Sequence, residues 1–172
     1  MPTIGVAVAI PEPWATELQD YRTSVGDAMA ATIPTHITLV PPTEVDDDEL
    51  EKIEAHLAAL ASDVPTFDVH LRGTGSFRPV SPVVFVGLVE GISQFEQLAD
   101  AVRRGPLAVD LHFPYHPHVT IAHHVSEEQL DRAFDELADF ECEFVVQHMG
   151  LYVHEDERGW IPTRCFALSP GT

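Results

Sequence analysis

Phe113-Pro114-Tyr115-His116-Pro117-His118-Val119-Thr120-Ile121-Ala122 places an imidazole and a hydroxyl two residues apart at the head of an apolar, β-branched run. Such a run reads as a buried strand, in which side chains alternate between faces. His118 and Thr120 then share one face, and Val119 and Ile121 the other. The same pattern occurs upstream, at Pro34-Thr35-His36-Ile37-Thr38-Leu39-Val40-Pro41. An imidazole beside an alcohol on a rigid strand suits a proton transfer next to a hydrogen bond. A lone His-x-[Ser/Thr] means little in a chain with ten histidines. His124-Val125-Ser126 is such a match, and Ser126 reads better as a helix cap. The other two copies share a strand start, an adjacent proline and a following helix, which makes them a repeated unit.

The surroundings extend the repeat. Each copy is followed by a helix with an acidic start, then by a strand ending in Gly-x-aromatic. These strands are Phe67 to Gly75-Ser76-Phe77 and Cys142 to Gly150-Leu151-Tyr152. Strand, helix, strand therefore occurs twice, as a duplication would leave it. Two halves related by a pseudo-two-fold would turn both His-x-Thr pairs into one cleft.

The remaining elements fall between these landmarks. Thr3 to Ile10 is a strand, and Pro13 opens a helix carrying Trp14, Leu18, Tyr21, Val25 and Ala28 at helical spacing. The His36 to Val40 strand is closed by Pro41-Pro42. Acidic Asp46 to Glu49 then opens a helix with Leu50, Ile53, Leu57 and Leu60 inside. The Phe67 strand loosens at Gly73-Thr74-Gly75, and Pro82 to Val89 is a further strand. Capping boxes at Ser93-Gln94-Phe95-Glu96 and Ser126-Glu127-Glu128-Gln129 open two more helices. Leu107 to Tyr115 reads as a short strand and a turn, and Cys142 to Val153 and Gly159 to Leu168 as strands. The class is α+β, in two mixed lobes of a single domain over residues 1–172.

Composition sets limits. A chain of 172 residues buries enough surface to fold without metal or disulfide. The net charge of −19, with Lys52 the only lysine, repels long polyanions. Unspecific binding to duplex nucleic acid or to an anionic membrane is excluded on that ground, while a small nucleotide or one RNA end is not. Cys142 and Cys165 suit a reducing compartment as small core residues. The first residues lack a basic leader, and the longest apolar runs are strand-length, so a soluble cytoplasmic protein is expected.

Pro34-Thr35-His36-Ile37-Thr38-Leu39 and His116-Pro117-His118-Val119-Thr120-Ile121, with the duplicated order of elements, resemble the 2H phosphoesterases. That superfamily includes the RNA 2′,3′-cyclic phosphodiesterases also called 2′-5′ RNA ligases. The resemblance implies two pseudo-symmetric lobes, each a mostly antiparallel sheet with helices outside, around a central cleft. It implies chemistry on 2′,3′-cyclic or 2′-5′-linked ribose phosphates without metal or cofactor, the partner being a small nucleotide or an RNA terminus. It assigns His36, Thr38, His118 and Thr120 to catalysis. Opening a cyclic phosphate needs a base for water and an acid for the departing ribose oxygen. A pKa near 6.5 lets one imidazole be neutral and its partner charged around pH 7. His36 as acid and His118 as base is one ordering, and the roles exchange in the ligating direction. Thr38 and Thr120 would hydrogen-bond the non-bridging oxygens.

Many relatives carry an arginine shortly after the second motif, where this chain has Ala122-His123-His124. Arg78 or His123 would have to replace it. Phe77, Tyr115 and Tyr152 are candidates for stacking a base. Two rival readings remain. His112, His116, His118, His123 and His124 crowd one segment, as in a divalent-metal site, although no ligand spacing is completed. The other rival is a nucleotide-binding module without catalysis, since fold does not fix function.

Overall fold

A computed structural model describes residues 1–111 and 113–170. The chain runs β1 (Thr3–Ala9), α1 (Trp14–Ser24), β2 (His36–Glu44), α2 (Leu50–Asp63), β3 (Phe67–Ser76) and β4 (Val83–Glu90). It continues through α3 (Ile92–Val102), β5 (Val119–His123), α4 (Glu127–Glu136), β6 (Glu141–Val146), β7 (His148–Glu155) and β8 (Gly159–Ala167). Two four-stranded sheets result, ordered β2-β1-β7-β8 and β5-β4-β3-β6. Every pairing is antiparallel. The class is therefore the expected α+β.

Strand alternation explains how the sheets hold together and what they present. Ile37 and Leu39 of β2, and Val119 and Ile121 of β5, are fully buried, while His36, Thr38 and Thr120 face the other way and are half-exposed. The buried faces merge into one hydrophobic cluster with Leu57 of α2, Phe95 and Leu98 of α3, and Leu130 of α4.

The repeat is visible in the register. Thr38 lies opposite Ala7, which lies opposite Gly150. Thr120 lies opposite Phe85, which lies opposite Gly75. The two Gly-x-aromatic segments thus occupy matching rows, but each has crossed over. β3 follows the first His-x-Thr strand yet pairs in the sheet of the second, and β7 does the reverse.

Six local expectations are corrected. Cys142 to Val153 is not one strand, because the chain passes from one sheet to the other at Gln147. Exposed Gln147 and His148 in succession break the alternation there, and Leu168 N–H donates to the Gln147 carbonyl at 2.9 Å. Pro41-Pro42 does not close β2, which continues to Glu44. β2 is an edge strand, and a register shift in β1 beside the prolines absorbs their missing donors. The first capping box is unused, since α3 starts from Gly91 at φ +97. A Cβ at that position would stand 2.9 Å from the Asp68 carbonyl, so the close approach of β3 demands glycine there. Leu107 to Tyr115 contains no strand among its described residues. Cys165 is exposed on β8, in the opposite sheet from buried Cys142. Ser126 caps α4 as expected, its Oγ accepting from Gln129 N–H at 3.2 Å, but the reciprocal half of the box is not made, because Gln129 Oε1 is buried without a hydrogen-bond partner among the described residues. Among the described residues no helix is long and apolar enough to cross a membrane.

Gly75 is a packing requirement. A Cβ on it would meet the Phe85 ring at 2.6 Å, and Phe85 lies 5.2 Å from the His118 ring. Gly75→Ala is expected to destabilise the fold by about 1–3 kcal/mol through overpacking, read by urea denaturation. An unchanged midpoint would contradict the fit of that ring.

Candidate active site

The two histidines are held alike. His36 opens β2, and its Nδ1 lies 2.6 Å from the Pro34 carbonyl. His118 stands immediately before β5, and its Nδ1 lies 2.7 Å from the His116 carbonyl. A carbonyl only accepts, so both Nδ1 atoms carry the proton and each Nε2 is left as a lone-pair end. His36 Nε2 is 3.1 Å from Thr38 Oγ1, the i, i+2 contact that the strand period dictates. The His118 ring packs edge-on against Phe77, with centroids 4.9 Å apart, and beside Phe85.

Burial dominates the electrostatics. Desolvation pushes His118 down to about 4, against the favourable hydrogen bond to the His116 carbonyl, and the nearby imidazoles of His116 and His36 add to the fall. Desolvation likewise holds His36 below its ordinary value, with Arg22 opposing a second positive charge nearby. Each histidine is therefore neutral at pH 7 in the free protein.

A cavity of about 290 Å³ lies between the sheets. His36, Thr38, Thr120, His123 and Tyr152 line it, over a floor that includes Gly5 and Ala7. His118 borders this group without lining the cavity. The other expected site residues lie elsewhere. The Tyr115 hydroxyl donates to the Thr38 carbonyl at 2.7 Å, and burial raises its pKa, so it anchors β2 rather than facing a base. Phe77 is spent on His116 and His118. Arg78 donates to Ser76 Oγ, Glu127 and Asp131, away from the cavity lining.

Two lining residues were missed from sequence, Arg22 and Trp160. Arg22 follows Leu18 at i+4, on the buried side of α1, where an arginine signals a partnered or functional charge. Nothing in the sequence near Trp160 marks it. The histidine-rich segment does not converge on a metal set. His123 and His124 stack on each other at 3.7 Å, and no three His, Cys, Asp or Glu side chains gather as a ligand set among the described residues. His112 lies outside the described residues.

Two antiparallel four-stranded sheets, each with a His-x-Thr segment on one of its strands, are the architecture of the 2H phosphoesterases. Within that class, the chain belongs to the 2′-5′ RNA ligase superfamily, whose family model matches residues 10–158. A candidate phosphoesterase of Bacillus cytotoxicus is 28% identical over 148 residues, covering 85% of this chain and 86% of that one. Another, from Staphylococcus saprophyticus, is 25% identical over 160 residues, covering 91% and 94%. Among solved structures, Escherichia coli LigT complexed with 3′-AMP shares the fold, with a TM-score of 0.75, 22% identity, and 98% and 99% of the two chains covered. A Thermus thermophilus structure gives a TM-score of 0.71 at 25% identity, covering 99% of each chain.

The electrostatic reading predicts an NMR titration. The His118 ring resonances should move with a midpoint near pH 4, and those of His36 and His123 with midpoints below 6.5. A His118 midpoint at or above 6.5 would mean that the ring is not desolvated.

Proposed function

We propose that this protein is a phosphodiesterase that opens 2′,3′-cyclic ribose phosphates to 2′-phosphates, using His36 and His118 as its acid–base pair. The observation that carries the reading is the matched tethering of both imidazoles. Each Nδ1 is bound to the carbonyl two residues before it, and each ring is paired with a threonine on its own strand face. Membership of the superfamily supports phosphoesterase chemistry.

The reaction needs water to attack phosphorus as the P–O3′ bond breaks. His118, neutral through burial, takes the water proton on Nε2. His36 supplies the proton that leaves with O3′. The ordering rests on position, because His36 lines the cavity directly. An anionic phosphate arriving there raises the pKa of the adjacent ring and loads it with a proton, so the substrate makes its own acid. Thr38 and Thr120 donate to the non-bridging oxygens and hold phosphorus in line. Attack by a ribose hydroxyl in place of water uses the same groups and forms a 2′-5′ link. The substrate class is a small nucleotide or an RNA end. Crystal structures of LigT with 3′-AMP, ATP and NADP⁺ are in keeping with a nucleotide-sized site.

His36→Ala and His118→Ala should each lower kcat for a 2′,3′-cyclic nucleotide by about 10²–10⁴-fold with folding intact and EDTA present. Wild-type turnover in either variant overturns the pair. With a p-nitrophenyl nucleotide diester, whose leaving group needs no proton, His36→Ala should recover and His118→Ala should not. Equal loss in both would sink the ordering. The pH dependence follows from the lowered imidazoles. kcat/KM reports the free protein, so its optimum should lie below pH 6.5 and fall as pH rises through the acid's depressed pKa. The alkaline limb of kcat should be displaced upward by the bound phosphate. Coincident limbs would argue against substrate-raised protonation.

A further inference from the structure

Arg22 and Asp27 form a buried ion pair at the wall of the cavity, with side chains only 5% and 1% exposed. Arg22 sits in the last turn of α1, and its Nε donates to Asp27 Oδ2 at 2.6 Å. Asp27 is committed on every side. Its Oδ1 accepts from Met29 N–H at 3.0 Å, and its Oδ2 also accepts from His123 N–H at 3.0 Å, at the end of β5. Arg22 is not. Among the described residues only its Nε has a hydrogen-bonding partner, and the residue lines the cavity beside His36, Thr38, Thr120 and His123. A guanidinium carries five donors in a rigid fork, so holding it by Nε leaves the terminal nitrogens directed onward.

The other arginine considered for this role is occupied, since Arg78 donates to two carboxylates away from the cavity. On β5 the cavity is met by His123, whose pKa burial lowers. A neutral imidazole offers an anion little. The surface, at −19 overall, offers it less. Arg22 is the permanent cation among the residues lining the cavity.

We propose that Arg22, delivered from α1, is the phosphate-binding cation of this cleft, and that Asp27 is a positioning residue that fixes the guanidinium and ties it to the end of β5. This deepens the proposed phosphodiesterase reading and rests on it for the identity of the substrate. The fork would take two non-bridging oxygens, opposite the threonine hydroxyls. The electrostatic cost of burying Arg22 is met by Asp27 before substrate arrives, so the site gains an anion without first burying an unpaired charge.

The test uses inorganic phosphate and 2′-AMP as probes. In ¹⁵N-labelled wild-type protein, the Arg22 side-chain resonances should shift saturably with either probe, together with the amides of Thr38 and Thr120. Arg22→Lys keeps a counter-charge for Asp27 but loses the fork. It should bind both probes roughly 10- to 100-fold more weakly, as expected for loss of charged hydrogen bonds, with the thermal midpoint little changed. His36→Ala should lose turnover and retain binding. The assignment is overturned if the Arg22 resonances stay still while the threonine amides move, if neither probe binds saturably, or if Arg22→Lys binds as tightly as wild type. Should Arg22→Lys fail to fold, the wild-type titration decides. Phosphate binding through Arg22 without turnover of any cyclic phosphodiester would sink the catalytic reading and leave the anion site standing. Turnover with Arg22 silent would do the opposite.

Discussion

Each half of this chain lends a strand to the sheet of the other half, β3 from the first and β7 from the second, and the geometry of the cleft depends on that exchange. β3 closes on β4 and β7 on β1, so neither His-x-Thr strand belongs to a lobe that can fold or move alone. Separating the lobes would break two antiparallel ladders and open a single continuous core. The Tyr115 hydroxyl adds a direct link, because it precedes β5 in sequence but donates to the carbonyl of Thr38 on β2. Imidazoles distant in sequence are thereby held by backbone hydrogen bonding rather than by flexible contacts, which is what positioning for proton transfer requires.

The charge distribution follows a different logic inside and outside. Outside, acidic residues far outnumber basic ones, and most cations are taken up in surface ion pairs such as Arg104–Asp100 and Arg132–Glu136. Inside, the cleft contains two rings kept neutral by burial and one arginine neutralised by one aspartate. The cavity is close to uncharged in the free state, despite being built from titratable groups. A phosphate entering it meets donors and inducible charge without the long-range attraction that a basic surface gives. Such a protein discriminates by local fit, and long polyanions are turned away before they reach it.

What could be read from sequence was whatever depends on strand period. His36 with Thr38, and His118 with Thr120, share faces because the pleat has a period of two, and each Gly-x-aromatic segment was visible as a strand end, Gly75 and Gly150 falling in matching rows. What could not be read depends on sheet order. Pro41-Pro42 ends a strand in a sheet centre but not at an edge, and only the tertiary pairing makes β2 an edge. The polar pair Gln147-His148 marks a sheet crossing, yet in the sequence it looks like a strand with one face exposed. Arg22 was hidden for the same reason. Its helix was legible, but its facing the cleft depends on α1 meeting β5 through Asp27 and the His123 amide. Desolvation, which lowers the pKa of both histidines, is likewise set by tertiary packing and has no signature in the sequence.

The duplication does not leave the two lobes equivalent, and one position in the matching rows accounts for much of the difference. Where the first row has Ala7 between Thr38 and Gly150, the second has Phe85 between Thr120 and Gly75. A methyl group at the first position leaves open space, and the cavity occupies it, beside His36. A phenyl ring at the second fills that space, and the glycine opposite is what admits it. The ring then packs with Phe77 beside His118. One lobe thus leaves a cavity next to its histidine, and the other packs aromatic rings against its own. Two copies of the same motif acquire unlike environments without any change in the motif itself, and unlike environments are what allow two identical side chains to take opposite parts in a proton transfer.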